Sequence, residues 1–525
     1  MTGRKNQEVY ILQKQSTVEI NVEGGRICGC RTQDEAVNIF KGVPYAAPPV
    51  GPLRWKAPQP VEPWTGVRQC LSWEKAGMQP RQEPFLCWTE EFIIDDSAGY
   101  SEDCLFLNIW AGNDGEKKKP VIVYFHGGNF ETGGSSCEIY DGEQIARAGG
   151  IFVSIDFRLG VLGLLAASVL SEENENNVSG NYQLLDQIAA LRWIRNNIEQ
   201  FGGDPENVTL FGQSSGACSV NYVAVSPLSK GLIRNVVALG HSTFTYPVRN
   251  YSSETGEHIF EHDYICKTLA EAEAAGDQAF RGLTAQQLRE LPVEELLKFP
   301  PHLFPYCIDH YVLNGTFSEE VLRGATNDLN YITGFVDADN MLFSFMEPAT
   351  KEEYLSDIRS FFGENAGEAL RIYPPAEPFT FRNNGAKFDL TKAIVNDFLT
   401  ADSLSLARAR EKAGNKNTWL NVFNHTLPGP EAFMWGAFHT SEVPYYLSYF
   451  TDKRSEYWTD EDYALGGTMC RRLVNFAKTG DPNSDDLPVW ERGIVYEIDS
   501  DLFEPKRTWT PEKEALWKKK YPVME

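Results

Sequence analysis

Short, nearly continuous apolar runs alternate with amphipathic stretches along most of the chain. Val121–Phe125 (VIVYF), Ile151–Ile155 (IFVSI), Val208–Phe211 (VTLF) and Val236–Leu239 are brief and rich in β-branched and aromatic residues. Runs of this kind fit strands covered on both faces. Tyr331–Phe335 and Trp419–Phe423 predict two more. Elsewhere the period changes. Leu184, Ile188, Leu191, Ile194 and Ile198 recur at spacings of 4, 3, 3 and 4, one stripe of a helix. The glycines and proline of Phe201–Pro205 then stop it. Strand, helix, strand in this order predicts βαβ units and a large mixed, mostly parallel α/β sheet with helices on both faces. Glu254–Arg281, Thr284–Lys298 and Lys351–Ile372 read as amphipathic helices inserted over the sheet, and Ala111–Lys119 and Ser171–Ser179 as loops. With no internal repeat and no long linker, the expected organisation is a single domain over 1–525. Its cap-like helical insertions fall at roughly 250–330 and 345–400.

Composition narrows the function. Lys and Arg number 48 against 73 Asp and Glu, a net charge of −25. That acidity argues against nucleic acid as a partner, which needs a basic footprint, and against adsorption to anionic membranes. No run approaches the 18 apolar residues of a membrane span; Gly160–Leu170 is too short. The first residues, MTGRKNQEVYILQKQ, lack the apolar centre of a signal peptide. The expected compartment is the cytoplasm, or the exterior if a leader has been removed. The ten cysteines form no CxxC pair and are too sparse for a disulfide scaffold.

The chemistry enters where the strand Val208–Phe211 runs into Gly212-Gln213-Ser214-Ser215-Gly216. A G-x-S-x-G between a strand and a helix forms a sharp turn that lifts its serine out of the sheet. A serine hydroxyl is a weak nucleophile until a base takes its proton, so a histidine and a carboxylate are expected later in the chain. Among eight histidines, His439 lies in the small, loop-like stretch Gly436–Glu442, and His425 follows a predicted strand. Asp337 and Asp339 both stand just past the strand end at Phe335, and spacing alone admits either. An oxyanion hole needs backbone N–H groups. The amide of Ser215 is one candidate, and His126-Gly127-Gly128-Asn129-Phe130, directly after VIVYF, holds the others. His126 itself reads as a support of that loop.

At this point the chain resembles the type-B carboxylesterase, or cholinesterase-like lipase, family of α/β-hydrolases. The resemblance rests on Phe40–Gly51 (FKGVPYAAPPVG), Ser101–Ile109 (SEDCLFLNI), His126-Gly127-Gly128, Arg158–Gly163 (RLGVLG), Gly180-Asn181-Tyr182 with Asp186-Gln187, Phe201–Pro205, the Ser214 turn and Asn475–Asn483 (NFAKTGDPN), in the family's order. It implies hydrolysis of carboxylic esters through an acyl-enzyme, on a small-molecule ester, with no metal or organic cofactor. It assigns Ser214 as nucleophile, Asp339 as acid with Asp337 behind it, and His439 as base. The oxyanion amides fall to Gly128, Asn129 and Ser215. It also pairs Cys70 with Cys104 in a disulfide whose loop carries Phe85, Trp88 and Phe92 toward the gorge. It says nothing of oligomeric state.

Four positions depart from the family pattern. Gln213 stands where a glutamate usually precedes the nucleophile, Asn129 replaces the third glycine of the oxyanion loop, and Asn340 follows the acid in place of glycine. Ala238-Leu239-Gly240 replaces the usual Gln-Ser-Gly, removing a serine that supports the acid in relatives. Two rival readings compete with the esterase. His258-Ile259-Phe260-Glu261-His262 fits H-x-x-E-H, which on a helix presents two zinc ligands and a general base. A non-catalytic interaction protein on the same fold is the second alternative, since fold alone does not specify activity.

Overall fold

In the computed structural model of the chain, residues 16–241, 243–244, 247–251, 258–262, 266–300, 303–339, 350–375 and 392–525 are described, those of 247–251 and 258–262 as backbone only. A 13-stranded sheet extends through the molecule. Its strands are β1 (Thr17–Val22), β2 (Gly25–Arg31), β3 (Val37–Pro44), β4 (Val67–Gln69), β5 (Phe106–Gly112), β6 (Lys119–Phe125), β7 (Ile151–Ile155), β8 (Gly203–Gln213), β9 (Asn235–Leu239), β10 (Asn330–Val336), β11 (Thr418–Phe423), β12 (Val495–Ile498) and β13 (Phe503–Pro505). They lie in the order β1-β2-β3-β5-β7-β6-β8-β9-β10-β11-β12-β13, with β4 beside β2. From β7 across to β12 every pair is parallel, and the flanking pairs of the main path are antiparallel. The sheet is therefore mixed and mostly parallel.

The central strands are apolar throughout because both faces are covered. Val121, Val123 and Phe125 of β6 pack in one core with Leu184, Ile188 and Leu191 of α1 (Tyr182–Asn197) and with Ala217 and Val220 of α2 (Ser215–Val225). The alternate residues Ile122 and Tyr124 enter a second core. All six predicted strands and the Leu184–Ile198 helix are present, the helix continuing as a short 3-10 turn Ile198–Phe201 that Gly202 ends at φ +89°.

The inserted segments are helical in part, with strand pairs where the pattern predicted helix at His258–His262 and Cys266–Thr268. Among the described residues of Glu254–Arg281, the helix is α3 (Leu269–Ala279). Before it, Pro247–Tyr251 pairs antiparallel with His258–His262, and Cys266–Thr268 pairs parallel with Tyr306–Ile308. Thr284–Lys298 holds two short helices, Ala285–Arg289 and Val293–Leu296. Lys351–Ile372 holds α4 (Lys351–Phe362) and the helix Ala366–Ile372. The following α5 (Lys392–Ala413) packs on β10 and β11 as a crossover helix. The Cys70–Cys104 disulfide is not formed. All ten cysteines are buried free thiols, and Cys70 Sγ faces the Gly42 carbonyl at 3.8 Å.

Candidate active site

The carboxyl ends of the parallel strands carry the candidate residues, which is where open α/β sheets place their ligand crevice. β8 ends at Gln213 and α2 begins at Ser215, so Ser214 alone makes the turn, at φ +59° and ψ −132°. A non-glycine residue there costs of order 1–3 kcal/mol and persists only when its surroundings hold it. They do. Ser214 N–H donates to the Leu239 carbonyl at 2.9 Å, and the Ser214 carbonyl accepts from Ala217 N–H at 2.9 Å. The flanking glycines follow from contact distances. A Cβ on Gly212 meets Gly216 O at 2.3 Å, and one on Gly216 meets Phe125 O at 2.1 Å. Among the described residues, Ser214 Oγ makes no hydrogen bond.

Asp339 and His439 arrive from loops after β10 and before α6 (Val443–Leu447). The loops are tied together by a parallel bridge between Ala338 and Phe438 and by Ala338 N–H donating to Ala437 O at 2.9 Å. Across it, His439 Nδ1 and Asp339 Oδ1 are 2.5 Å apart, with Asp339 fully buried. Asp339 Oδ2 accepts the Val336 N–H at 3.1 Å. Asp337 turns away, accepting from Lys392 and from Asn396 Nδ2 on α5. Burial works against a charged His439 ring, but the charge and hydrogen bond of Asp339 outweigh it and hold its pKa above the ordinary value. Thr440, β-branched, sits at φ +84° and so turns the chain sharply after the histidine.

Three contacts around His439 were not legible in the sequence. Gln213 Nε2 lies 3.2 Å from His439 Nε2. Trp88 Nε1–H donates to the His439 carbonyl at 3.1 Å. Glu442, buried, lies beside His439 and the Gln213 side chain, with no well-formed hydrogen bond at either oxygen among the described residues. Burial, reinforced by the Asp339 charge, pushes Glu442 up to about 8. The only sequence signals for these residues were the odd glutamine before the serine and an aromatic in a loop.

The glycine loop after β6 folds over the serine. Gly128 lies at φ +117° and Asn129 at φ +58°. Phe130 N–H donates to Ser215 Oγ at 3.2 Å, joining loop to helix. The backbone N–H groups of Gly128, Asn129 and Ser215 make no hydrogen bond among the described residues. Gln79 clamps the loop from behind, donating to Gly133 O at 2.7 Å and accepting from Gly133 N–H at 2.8 Å. His126 is buried, stacks on Phe157 at 4.4 Å, and is depressed to about 4 by burial, so it is neutral and structural.

These loops enclose a cavity of about 510 Å³ that Ser214, His439 and the oxyanion loop line together. Phe85, Trp88, Phe92 and Phe130 form its apolar wall. Asn129 Nδ2 donates to Glu131 Oε1 at 2.6 Å beside it. Asn340 lies outside the described residues. Leu239, at the position of the missing serine, is buried in the second core. His258–His262 is a strand, not a helix. On a strand four residues span about 13 Å, against about 6 Å on a helix, too far for one metal ion. Among the described residues, no group of three His, Cys, Asp or Glu side chains has the arrangement of a metal site, and no helix is long and apolar enough to cross a membrane.

A family model described as "Carboxylesterase family" matches residues 15–499. A fumonisin B1 esterase from Sphingopyxis macrogoltabida is 31% identical over 468 residues, 87% of this chain and 81% of that protein. Human cocaine esterase is 29% identical over 493 residues, 89% and 83% of the two chains. Among solved structures, a PNB esterase superposes with a TM-score of 0.75 at 26% identity, covering 95% of this chain and 99% of that one.

Proposed function

This chain belongs to the carboxylesterase family and is a carboxylic ester hydrolase; from that premise we propose that it acts through an acyl-enzyme on Ser214, with His439 as base and Asp339 as its partner. The observation that carries this reading is the 2.5 Å contact between His439 Nδ1 and Asp339, beside a cavity that also opens on Ser214. A fully buried carboxylate on Nδ1 fixes the proton there and leaves Nε2 as the acceptor.

In the proposed sequence, Nε2 takes the Ser214 proton as Oγ attacks the ester carbonyl. The tetrahedral oxyanion is held by the N–H groups of Gly128, Asn129 and Ser215, which have no other partner among the described residues. Each such donor is worth about 10²–10³ in rate. The imidazolium, stabilised by Asp339, returns the proton to the leaving alkoxide, giving the alcohol and an ester on Ser214. Water, deprotonated by the same nitrogen, then releases the acid and regenerates the serine. The aromatic wall of Phe85, Trp88, Phe92 and Phe130 supports a small-molecule ester with a bulky apolar part as the substrate.

The test is intact-mass spectrometry after incubation with a fluorophosphonate, followed by peptide mapping. A single adduct on Ser214 with parallel loss of esterase activity is expected. Folded protein that takes no label there, or takes it elsewhere while losing activity, overturns the assignment and favours an interaction protein on this fold.

A further inference from the structure

The residue before the serine is the strongest unexplained feature of the site. Gln213 is only 1% exposed and its amide is wedged between two groups of the histidine loop. Nε2 faces His439 Nε2 at 3.2 Å, and Oε1 accepts from Thr440 Oγ1 at 3.2 Å. With Asp339 on Nδ1, the neutral ring offers a lone pair at Nε2, so the amide N–H donates to it. That lone pair is the one that has to receive the Ser214 proton.

Proton transfer reverses the polarity of this contact. Once His439 is an imidazolium, Nε2 carries a hydrogen, and an NH₂ group facing it sets donor against donor. A half-turn about the terminal torsion of Gln213 exchanges its oxygen and nitrogen. Oε1 then faces Nε2–H, and the amide N–H faces Thr440 Oγ1, whose hydroxyl rotates to accept. His439 Nε2 and Thr440 Oγ1 each keep a partner on Gln213 in both protonation states without any backbone movement, while the Glu442 carboxyl, which also meets the Gln213 side chain, exchanges the amide N–H for the amide oxygen. A carboxylate at 213 can only accept, and an apolar side chain can do neither. The titratable groups facing His439 are Asp339 on Nδ1 and Glu442 three residues on, and His241 lines the same cavity.

We propose that Gln213 is a two-state positioning residue, donating to neutral His439 and flipping to accept from its imidazolium as the tetrahedral intermediate forms. The proposal rests on the reading of Ser214 and His439 given above. No bond other than hydrogen bonds is made or broken by Gln213, and the proton moves only between Ser214 Oγ, His439 Nε2 and the leaving group.

The experiment compares wild type, Gln213→Met and Gln213→Glu in pH profiles of kcat and kcat/KM on a neutral ester, with thermal unfolding as the control for folding. For Gln213→Met, kcat falls by about tenfold, the order of one lost hydrogen bond, with KM and the acid limb unmoved. For Gln213→Glu, the fixed acceptor favours the imidazolium, and the acid limb moves to higher pH by about one unit. The low-field proton signal of His439 Nδ1–H, followed by NMR, shifts its midpoint in the same direction. An unmoved acid limb and NMR midpoint in Gln213→Glu, or wild-type kcat in folded Gln213→Met, overturns the proposal. Fluorophosphonate labelling of the wild type separates the two levels: failure to label Ser214 sinks the triad, whereas normal labelling with unmoved profiles sinks only the role of Gln213.

Discussion

Two histidines fourteen residues apart, His425 and His439, both meet buried or partly buried aspartates, yet in different arrangements. His439 has the Asp339 carboxylate on Nδ1, and its Nε2 meets a neutral amide beside the cavity. His425 is pinned on both sides, with Nδ1 2.5 Å from Asp499 and Nε2 2.8 Å from Asp462. Asp462 also accepts from Tyr445 Oη at 2.6 Å and caps α7 (Asp460–Thr479) through Thr459. Burial opposes charge on His425, but the hydrogen bonds to Asp462 and Asp499 override it and lift it to about 9. Two carboxylates hold His425 protonated well past neutral pH, whereas one carboxylate on Nδ1 raises His439 and leaves its Nε2 toward the cavity. His425 thus joins the ends of β11 and β12, the start of α7 and, through Tyr445, the helix that follows His439.

The sharpest way to break this comparison is to delete each histidine. His439→Ala lowers kcat by about 10⁴-fold or more, as for loss of a general base in a serine triad, with unfolding unchanged. His425→Asn leaves kcat of the folded enzyme near wild type but costs roughly 2–3 kcal/mol in denaturant unfolding, discounted for its partial solvent access. The opposite pattern makes His425 the base.

The aspartates give the next largest contrast. Asp339→Asn is expected to lower kcat by about 10⁴-fold by releasing the wrong tautomer of His439. Asp337→Asn loses contacts to Lys392 and Asn396 and shows up in stability, with little change in kcat. Equal loss of kcat in both variants contradicts the geometry.

pH separates the two histidines without mutation. In the proposed mechanism His439 serves as base only when neutral, and its pKa is raised, so kcat/KM is expected to climb with pH along a limb above the ordinary histidine value of 6.5. His425 is also raised, so its contribution to stability is complete below 6.5 and is lost as pH rises through about 9. Asp462 is held down to about 2 by His425, Tyr445 and Thr459 against the pull of burial, so its contribution is present above 3.8 and lost as pH falls through about 2. Unfolding midpoints from pH 6 to 10 are expected to decline toward the alkaline end in wild type, and the part due to His425 disappears in His425→Asn.

The smallest effect sharpens the positioning of His439 itself. Trp88→Phe keeps an aromatic ring in the wall but removes the indole donor to the His439 carbonyl. A decrease of about two- to tenfold in kcat is expected, the range of one neutral hydrogen bond. A purely apolar role for Trp88 predicts a change in KM alone.

Much of this molecule was written locally. The apolar runs of β6 to β11 and the 4-3-3-4 stripe of α1 specify strands and a helix because burial on both faces, or on one stripe, demands that spacing. The turn at Ser214 is local in part: a Cβ on Gly212 meets Gly216 four residues on, whereas one on Gly216 meets Phe125 of β6. The proposed roles of Ser214, His439 and Asp339 came from the family resemblance; spacing alone left Asp337 and Asp339 open. Within Glu254–Arg281 patterning held for Leu269–Ala279 but failed at His258–His262 and Cys266–Thr268, which form strand pairs.

What the tertiary structure alone decided lies at long sequence separation. That Asp339 meets His439 while Asp337 turns to α5 and His425 to Asp462 and Asp499 depends on contacts at long range, the first made across 100 residues by the bridge between the Ala338 and Phe438 loops. The meeting of Gln213 with His439 spans 226 residues, and that of Trp88 with the His439 carbonyl spans 351. The unjoined Cys70 and Cys104 belong here as well, because a bridge needs its two sulfurs brought into contact, which only the packing of both loops decides. Periodicity and sterics act between neighbours in the chain, and so they reach the elements and the turn. The protonation and hydrogen bonding of a side chain are set by whatever the fold brings within about 3 Å.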